Sequence, residues 1–161
     1  IAVQASLTGH LVLATLHTND AVSAATRLTD MGIEPFLLSS SLLGVLAQRL
    51  VRRICPHCRQ PGPAASDAGL PAEIGRLWQA VGCPHCAHTG YLGRLGIYEL
   101  LEIDDALRPL VHQQSGEAAL RAAARDPARG ASLLRLLHED GLRWLEAGET
   151  SLEELLRVTR A

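Results

Sequence analysis

Aromatic residues, cysteine and methionine are all scarce in this sequence, and their scarcity narrows the classes of protein to consider. Aromatic side chains make up 3% of the 161 residues, so the core must pack with Leu, Val, Ile and Ala. Four cysteines in a chain of this length are too sparse for a secreted, disulfide-stabilised scaffold. The only methionine is Met31 and the chain begins at Ile1, which we interpret as a piece of a longer protein.

Long apolar runs and an excess of charge of one sign are also missing. The longest apolar stretch, 36–46, is interrupted by serines and a glycine and is too short to cross a bilayer. No signal peptide precedes it, and reducible thiols without an export signal predict a cytoplasmic protein. The formal net charge of -2 gives no reason to expect binding to nucleic acid or to an anionic membrane. The hydrophobic content of 47% is enough for one or two compact domains.

All four cysteines lie in two copies of one tetrapeptide, Cys55-Pro-His-Cys58 and Cys83-Pro-His-Cys86. Two Cys-x-x-Cys pairs at this separation can place four thiolates around one tetrahedral ion, and zinc is the usual ion for such a set. Because four thiolates leave no open position for water or substrate, a structural role is favoured. We expect His57 and His85 to lie outside the ligand set. A redox-active cysteine pair and disulfide bonds remain alternatives.

The order of the predicted elements is that of an α/β protein. The run from His10 to His17 is apolar without alternation, which predicts a strand buried on both faces, as in a parallel sheet. A short helix before Gly9 precedes it, and a helix capped by residues 18–20 and ended by Gly32 follows it. The remaining predicted elements are helix 34–47, strand 48–54, a loop at 61–70, helix 72–81, strand 93–102, and helices at 106–113, 117–125, 133–145 and 152–158.

Five stretches in this order resemble the ATPase of bacterial type II secretion, within the wider class that also drives type IV pilus assembly. Residues 8–19 resemble the histidine box of that family. The other four stretches are residues 47–53, the two cysteine pairs, residues 93–99 and the ending 148–160. The resemblance runs over essentially the whole chain.

The resemblance implies a hexameric motor whose fold class is α/β. The chain would be the C-terminal part of a RecA-like P-loop ATPase core with a four-cysteine zinc-binding insertion and a small C-terminal helical bundle. The expected domains are 1–54 continued by 91–103, the insertion 55–90, and the helical domain 104–161. The family implies ATP and Mg²⁺ in the full-length protein, a homohexamer, inner-membrane platform proteins as partners, and no nucleic acid. The motor would be cytoplasmic and peripherally associated with the inner membrane.

The family's nucleotide site is incomplete in this sequence. Its phosphate-binding Gly-x-x-x-x-Gly-Lys-Ser/Thr loop and its acidic magnesium-holding strand lie upstream in the family, and neither occurs here. We therefore expect this chain to be inactive alone. The alternatives are a type IV pilus assembly ATPase and, from another class, a non-catalytic interaction module stapled by zinc.

Two residues are candidates for nucleotide chemistry. His17 ends the predicted strand at the edge where α/β sheets bind ligands, and the resemblance predicts that it contacts the γ-phosphate or the attacking water. A structural histidine that caps the next helix is the alternative. Arg49 lies in the one basic concentration near the core, with Arg27, Arg52 and Arg53. We predict that Arg49 reaches a phosphate bound to a neighbouring subunit, with a salt-bridged surface as the alternative.

Overall fold

The computed structural model describes residues 2–160, which form a mixed α/β chain. The helices are α1 (Ala2–Leu7), α2 (Ala21–Asp30), α3 (Pro35–Ser41), α4 (Arg108–His112), α5 (Gly116–Ala124), α6 (Leu137–Glu146) and α7 (Leu152–Thr159). The strands are β1 (Gly44–Ile54), β2 (Gln60–Ala64), β3 (Arg76–Gln79) and β4 (Tyr91–Glu102). None of these helices, over residues 2–160, combines the length and the apolar character that a membrane span requires.

The four strands form two separate pairs. β1 pairs with β4, and β2 pairs with β3. The second pair is antiparallel, with Gln60 opposite Gln79 and Pro61 opposite Trp78. The cysteine-containing segment lies between β1 and β4 in the sequence, and the pair β2–β3 lies within it. The predicted strands 48–54 and 93–102 are thus both present.

The chain packs as two compact units. The first comprises the residues up to 47 together with 99–135, and the second comprises 48–98 together with 136–161. The domain division expected from the sequence, with boundaries at 54, 90 and 104, stays a prediction.

Helices α1 to α5 belong to the first unit, where α2 packs on α5 and α3 on α4. The N-cap of α2 follows its sequence signal, because an Asp20 side-chain oxygen accepts from the backbone N–H of Ser23 at 2.8 Å. Gly32 follows the helix with a φ of +82°, as a helix-ending glycine does. The buried apolar residues of this unit include Val22, Ala25, Leu38, Leu101, Ile103, Leu107, Val111 and Leu120.

Helices α6 and α7 and the strands β2 and β3 belong to the second unit. Helix α6 contacts α7, β3 and a 3-10 turn at Ala72–Ile74. Its core contains the buried residues Val51, Ala65, Ile74, Leu77, Ile97, Leu137, Leu145 and Leu155. All of these are aliphatic, as the low aromatic content requires. Trp144 is partly buried against this core.

The predicted strand at 10–17 is wrong for the described chain. Residues 10–18 belong to no strand or helix, and Leu11 and Leu13 are 77% and 89% exposed. A strand needs a neighbour for its backbone N–H and C=O groups. Within residues 2–160, β1 to β4 pair with one another only. The apolar run therefore has no strand beside it to bury its side chains.

Three further predictions are wrong because strands pair where the sequence predicted a helix or a loop. The helix predicted at 34–47 ends at Ser41, since β1 already begins at Gly44 and pairs with β4. The helix predicted at 72–81 is one 3-10 turn followed by β3, which pairs with β2. That same pairing makes a strand of residues 60–64, at the start of the predicted loop. A fourth prediction, the helix at 133–145, is wrong at its start, since the helix begins only at Leu137.

Candidate metal centre

The two cysteine pairs occupy similar turns. Cys55 follows β1 directly, and the second pair lies on a 3-10 turn, Pro84–Cys86, that leads towards β4. In each pair the backbone N–H of the second cysteine donates to the carbonyl of the first, at 3.3 Å and 3.1 Å. A proline follows the first cysteine in both pairs and fixes φ at the start of the turn. These turns bring the two side chains of each pair together.

The four sulfur atoms form one cluster with the dimensions of a metal site. All four Sγ atoms lie within 4.8 Å of one another. Cys55 is 3.9 Å from Cys83, and Cys86 is 3.8 Å from both Cys58 and Cys83. Sulfur atoms bound tetrahedrally to zinc at about 2.3 Å are about 3.8 Å apart, whereas a disulfide needs about 2.05 Å. The cysteines can therefore hold a metal ion, and their spacing fits zinc.

Backbone N–H groups point at two of these sulfurs. Gly82 donates to Cys58 Sγ at 3.3 Å, and Gly90 and Cys83 each donate to Cys86 Sγ at 3.2 Å. Such donors favour the thiolate, which is the form that binds metal. Both glycines have positive φ, and a Cβ there would lie 2.6 Å from the carbonyl oxygen of His88 and 2.8 Å from Ala80 Cβ, respectively. The cysteine spacing alone did not reveal these donors, and the glycines on either side of the second cysteine pair were the available signal.

The surroundings of the thiols shift the pKa values of Cys58 and Cys86 in opposite directions. Burial raises the pKa of Cys58 to about 11, and hydrogen bonds with the other thiols act in the same direction. Burial would also raise the pKa of Cys86, but the N–H groups of Cys83 and Gly90 outweigh it and lower that pKa to about 6. Binding of a metal by all four sulfurs must release protons, so its affinity falls as the pH falls.

The histidines of the two tetrapeptides stack on each other. The ring centroids of His57 and His85 are 4.3 Å apart, with an angle of 23° between the ring planes. Both residues are exposed, and the group of residues that can hold a metal within 2–160 consists of the four cysteines alone. The rings thus cover the outside of the turns without joining the sulfur cluster.

Arg59 connects the cysteine lobe, residues 55–90, to the turn that precedes α7. Its Nη1 donates to the carbonyl oxygen of Gly148 at 3.0 Å. Its guanidinium also stacks over the ring of Trp78 on β3, 4.4 Å from the centroid. No sequence pattern signalled this contact, because the partners are about 90 residues apart. Order in the lobe is therefore expected to stabilise the turn at 147–151.

The two predicted nucleotide residues lie in different units. His17 is exposed in the first unit, in the irregular segment four residues before the start of α2. Arg49 is half-buried on β1, in the same unit as the cysteines. The roles assigned to His17 and Arg49 remain predictions.

The neighbouring Arg52 and Arg53 are both engaged in ion pairs. Arg52 donates to the buried carboxylate of Glu154 through Nε at 2.9 Å, Nη2 at 2.7 Å and its backbone N–H at 2.9 Å. Arg157 donates to the same carboxylate at 2.8 Å and 2.7 Å. Arg53 pairs with Glu149.

Glu154 gives a testable pH dependence. Burial would raise its pKa, but the hydrogen bonds from Arg157 and Arg52 lower it to about 2 from an ordinary value of 4.5. Since the folded pKa is depressed, the carboxylate stabilises the fold above pH 4.5, and this contribution is lost as the pH falls towards 2. We expect Glu154→Gln to lower the free energy of unfolding at pH 7 by about 2 kcal/mol, as loss of hydrogen bonds to a charged group does.

Urea unfolding at pH 7, 4 and 3 measures this effect. The variant should lose less stability than the wild type between pH 4.5 and 2, because its amide does not titrate. Glu153→Gln, at an exposed position beside it, should change stability by about 0.5 kcal/mol or less. Identical pH profiles of the wild type and Glu154→Gln would contradict the assigned role of Glu154.

Comparison with known sequences and structures places this chain among secretion proteins. The type II/IV secretion system protein family matches residues 1–157. Type II secretion system protein HxcR of Pseudomonas aeruginosa is 63% identical over 160 residues, which are 99% of this chain and 30% of that relative. Type II secretion system ATPase E of Vibrio cholerae is 53% identical over 165 residues, again 99% of this chain and 32% of the relative. The chain thus spans about a third of the length of these relatives.

A solved structure shows the same fold. The pilus retraction motor PilT, crystallised with bound ADP, matches 99% of this chain and 35% of its own chain. The TM-score is 0.62 and the sequence identity is 21%. At this identity the similarity concerns the fold alone. It agrees with the α/β class expected from the order of elements.

Proposed function

The chain belongs to the type II/IV secretion system protein family, and from this premise we propose that it is the C-terminal part of the motor ATPase that powers type II protein secretion. The full-length motor would couple ATP hydrolysis to assembly of the pseudopilus. The observation that carries this proposal is the identity of 63% and 53% to proteins named for type II secretion, over 99% of the chain. These names support the secretion branch over the pilus branch.

We further propose that this chain completes a RecA-like core whose other strands belong to the rest of the longer protein. The apolar segment 10–17 would be a strand of that core. Its exposed Leu11 and Leu13 support this, because side chains of this kind bury against neighbouring strands in a parallel sheet. His17 would then lie at the end of the strand, where the phosphates bind. Arg49 would contact a phosphate bound to a neighbouring subunit.

The remaining components of the proposal follow from the same assignment. The four-cysteine lobe would hold one structural Zn²⁺, and the sulfur spacing supports that ion. ATP and Mg²⁺ would bind in the full-length protein, which would act as a homohexamer. Its partners would be the inner-membrane platform proteins of the secretion system, which would hold the cytoplasmic motor at that membrane. Nucleic acid is not among the proposed partners.

Comparing ATP turnover of the full-length protein with that of this chain tests the proposal. We expect Mg²⁺-dependent hydrolysis by the full-length protein and none above background by the chain of 161 residues. The physical reason is that charge stabilisation at the β- and γ-phosphates needs a backbone cradle and a lysine, both missing from this sequence. Hydrolysis by the purified chain that a point substitution within it abolishes would refute this proposal.

A further inference from the structure

Glu99, the last residue of the family-like stretch 93–99, carries a buried carboxyl group that the proposed mechanism does not use. It is 2% exposed on β4, in the first unit. Its Oε1 accepts from the backbone N–H of Ala21 at 3.0 Å, across 78 residues of sequence. Burying a carboxyl group is unfavourable unless it is hydrogen-bonded. Its burial against this N–H therefore ties β4 to the chain at Ala21.

Ala21 is the first residue of α2, and this end of the helix is held by a second carboxylate as well. Asp20 accepts from the backbone N–H of Ser23 at 2.8 Å and, through its other oxygen, from Arg121 Nη2 on α5 at 2.9 Å. The N–H groups of Ala21 and Ser23 are thus occupied by carboxyl oxygens of the chain itself. They anchor this end of α2, and neither donor is free for an anionic ligand.

The anchored end of α2 lies immediately after the histidine-box segment. His17 is four residues before Ala21, and Thr18 Oγ1 donates to the carbonyl oxygen of Asp20 at 3.1 Å. The backbone that carries His17 is therefore connected directly to the start of α2, which Glu99 of β4 and Arg121 of α5 hold in place. In the described residues His17 itself is exposed, so packing of its own ring does not fix it. Its backbone would be held on one side by the proposed strand 10–17 and on the other by this anchored start of α2.

We propose that Glu99 is a positioning residue for ATP hydrolysis, because it fixes the start of α2 and thereby the point from which His17 reaches the nucleotide. This inference rests on the function proposed above. A displacement of about 1 Å at a reacting group lowers rates by up to about 100-fold. Without the Glu99 acceptor the start of α2 can shift, and His17 with it, while the groups that bind ATP stay in place. The effect should therefore fall on kcat and spare KM.

Steady-state kinetics of the full-length protein test this role. We expect Glu99→Leu, which has no acceptor, to lower kcat about tenfold with an unchanged KM for ATP. Glu99→Gln keeps an oxygen that can accept from Ala21 and should retain a kcat close to that of the wild type. Glu99→Asp, with a shorter side chain, should have a kcat between those of these two variants. It replaces Glu99→Leu in the test if that variant does not assemble. Leu101→Ala removes a buried apolar side chain from the same strand and should lower the melting temperature without this loss of kcat.

A double-mutant cycle with His17→Ala separates positioning from general stability. If Glu99 acts through His17, Glu99→Leu or Glu99→Asp should have no further effect on kcat in the His17→Ala background. If the losses of kcat in the two single variants multiply in the double variant, the inference is overturned. It is also overturned if Leu101→Ala has a kcat as low as that of Glu99→Leu. Both outcomes leave the proposed function standing. Absence of Mg²⁺-dependent hydrolysis in the wild-type full-length protein would refute the proposed function, and this role with it.

Discussion

Cys58→Ser should abolish the binding of one zinc ion per chain. The substitution removes one of four sulfurs that already stand at zinc-site spacing, and the remaining three leave the ion open to water. Structural zinc of this kind contributes roughly 10–16 kcal/mol of apparent free energy to local folding. Elemental analysis of protein purified under reducing conditions measures the stoichiometry, for which we expect one zinc in the wild type and none in the variant.

The structural consequence should be confined to the second unit. Hydrogen exchange should accelerate across residues 55–90 and, through the contact of Arg59 with Gly148, in the turn at 147–151. Helices α2 and α5 of the first unit should keep their protection. His57→Ala is the matched control, because His57 lies in the same tetrapeptide but outside the sulfur cluster, and it should retain zinc. Wild-type protein without zinc, or with disulfides in both pairs, would refute the metal centre.

His17→Ala in the full-length protein should lower kcat about 100-fold or more, with nucleotide binding and zinc content nearly unchanged. A hydrogen bond made to the transferred phosphate in the transition state contributes to kcat, and loss of one such donor has an effect of this size. Because His17 is exposed in the described chain, the substitution removes little packing, and the melting temperature should change little.

Steady-state kinetics and thermal unfolding on one preparation of the full-length protein distinguish this role from a structural one. A histidine that only stabilised the start of α2 would lower stability by about 1 kcal/mol and leave kcat intact. His10→Ala changes a histidine at the other end of the same segment, where the ring contacts Thr8 at 3.0 Å. It should have normal kcat. A normal kcat with a lowered melting temperature in His17→Ala would rule out the catalytic role.

Much of the candidate site was readable from the sequence because its signals are local. A Cys-x-x-Cys spacing sets the geometry of a turn within four residues, and two copies predicted the sulfur cluster that the structure contains. Asp20 caps α2 as its position before an apolar helical pattern indicated, and Ser151 accepts from Glu154 N–H at the start of α7. The strand at 93–102 and the helix at 152–158 were predicted for the same reason.

The tertiary structure alone decided the features that depend on a distant partner. Residues 10–17 have the composition of a buried strand, yet a strand forms only where another strand supplies hydrogen bonds. Residues 76–79 look helical but pair with β2, and the carboxyl groups of Glu99 and Glu154 meet partners 78 and 102 residues away. The pattern of side chains along the sequence indicates which conformation a segment favours over one or two turns. Which groups form hydrogen bonds with a buried carboxyl group, or with the backbone N–H and C=O groups of a strand, depends on how the whole chain folds.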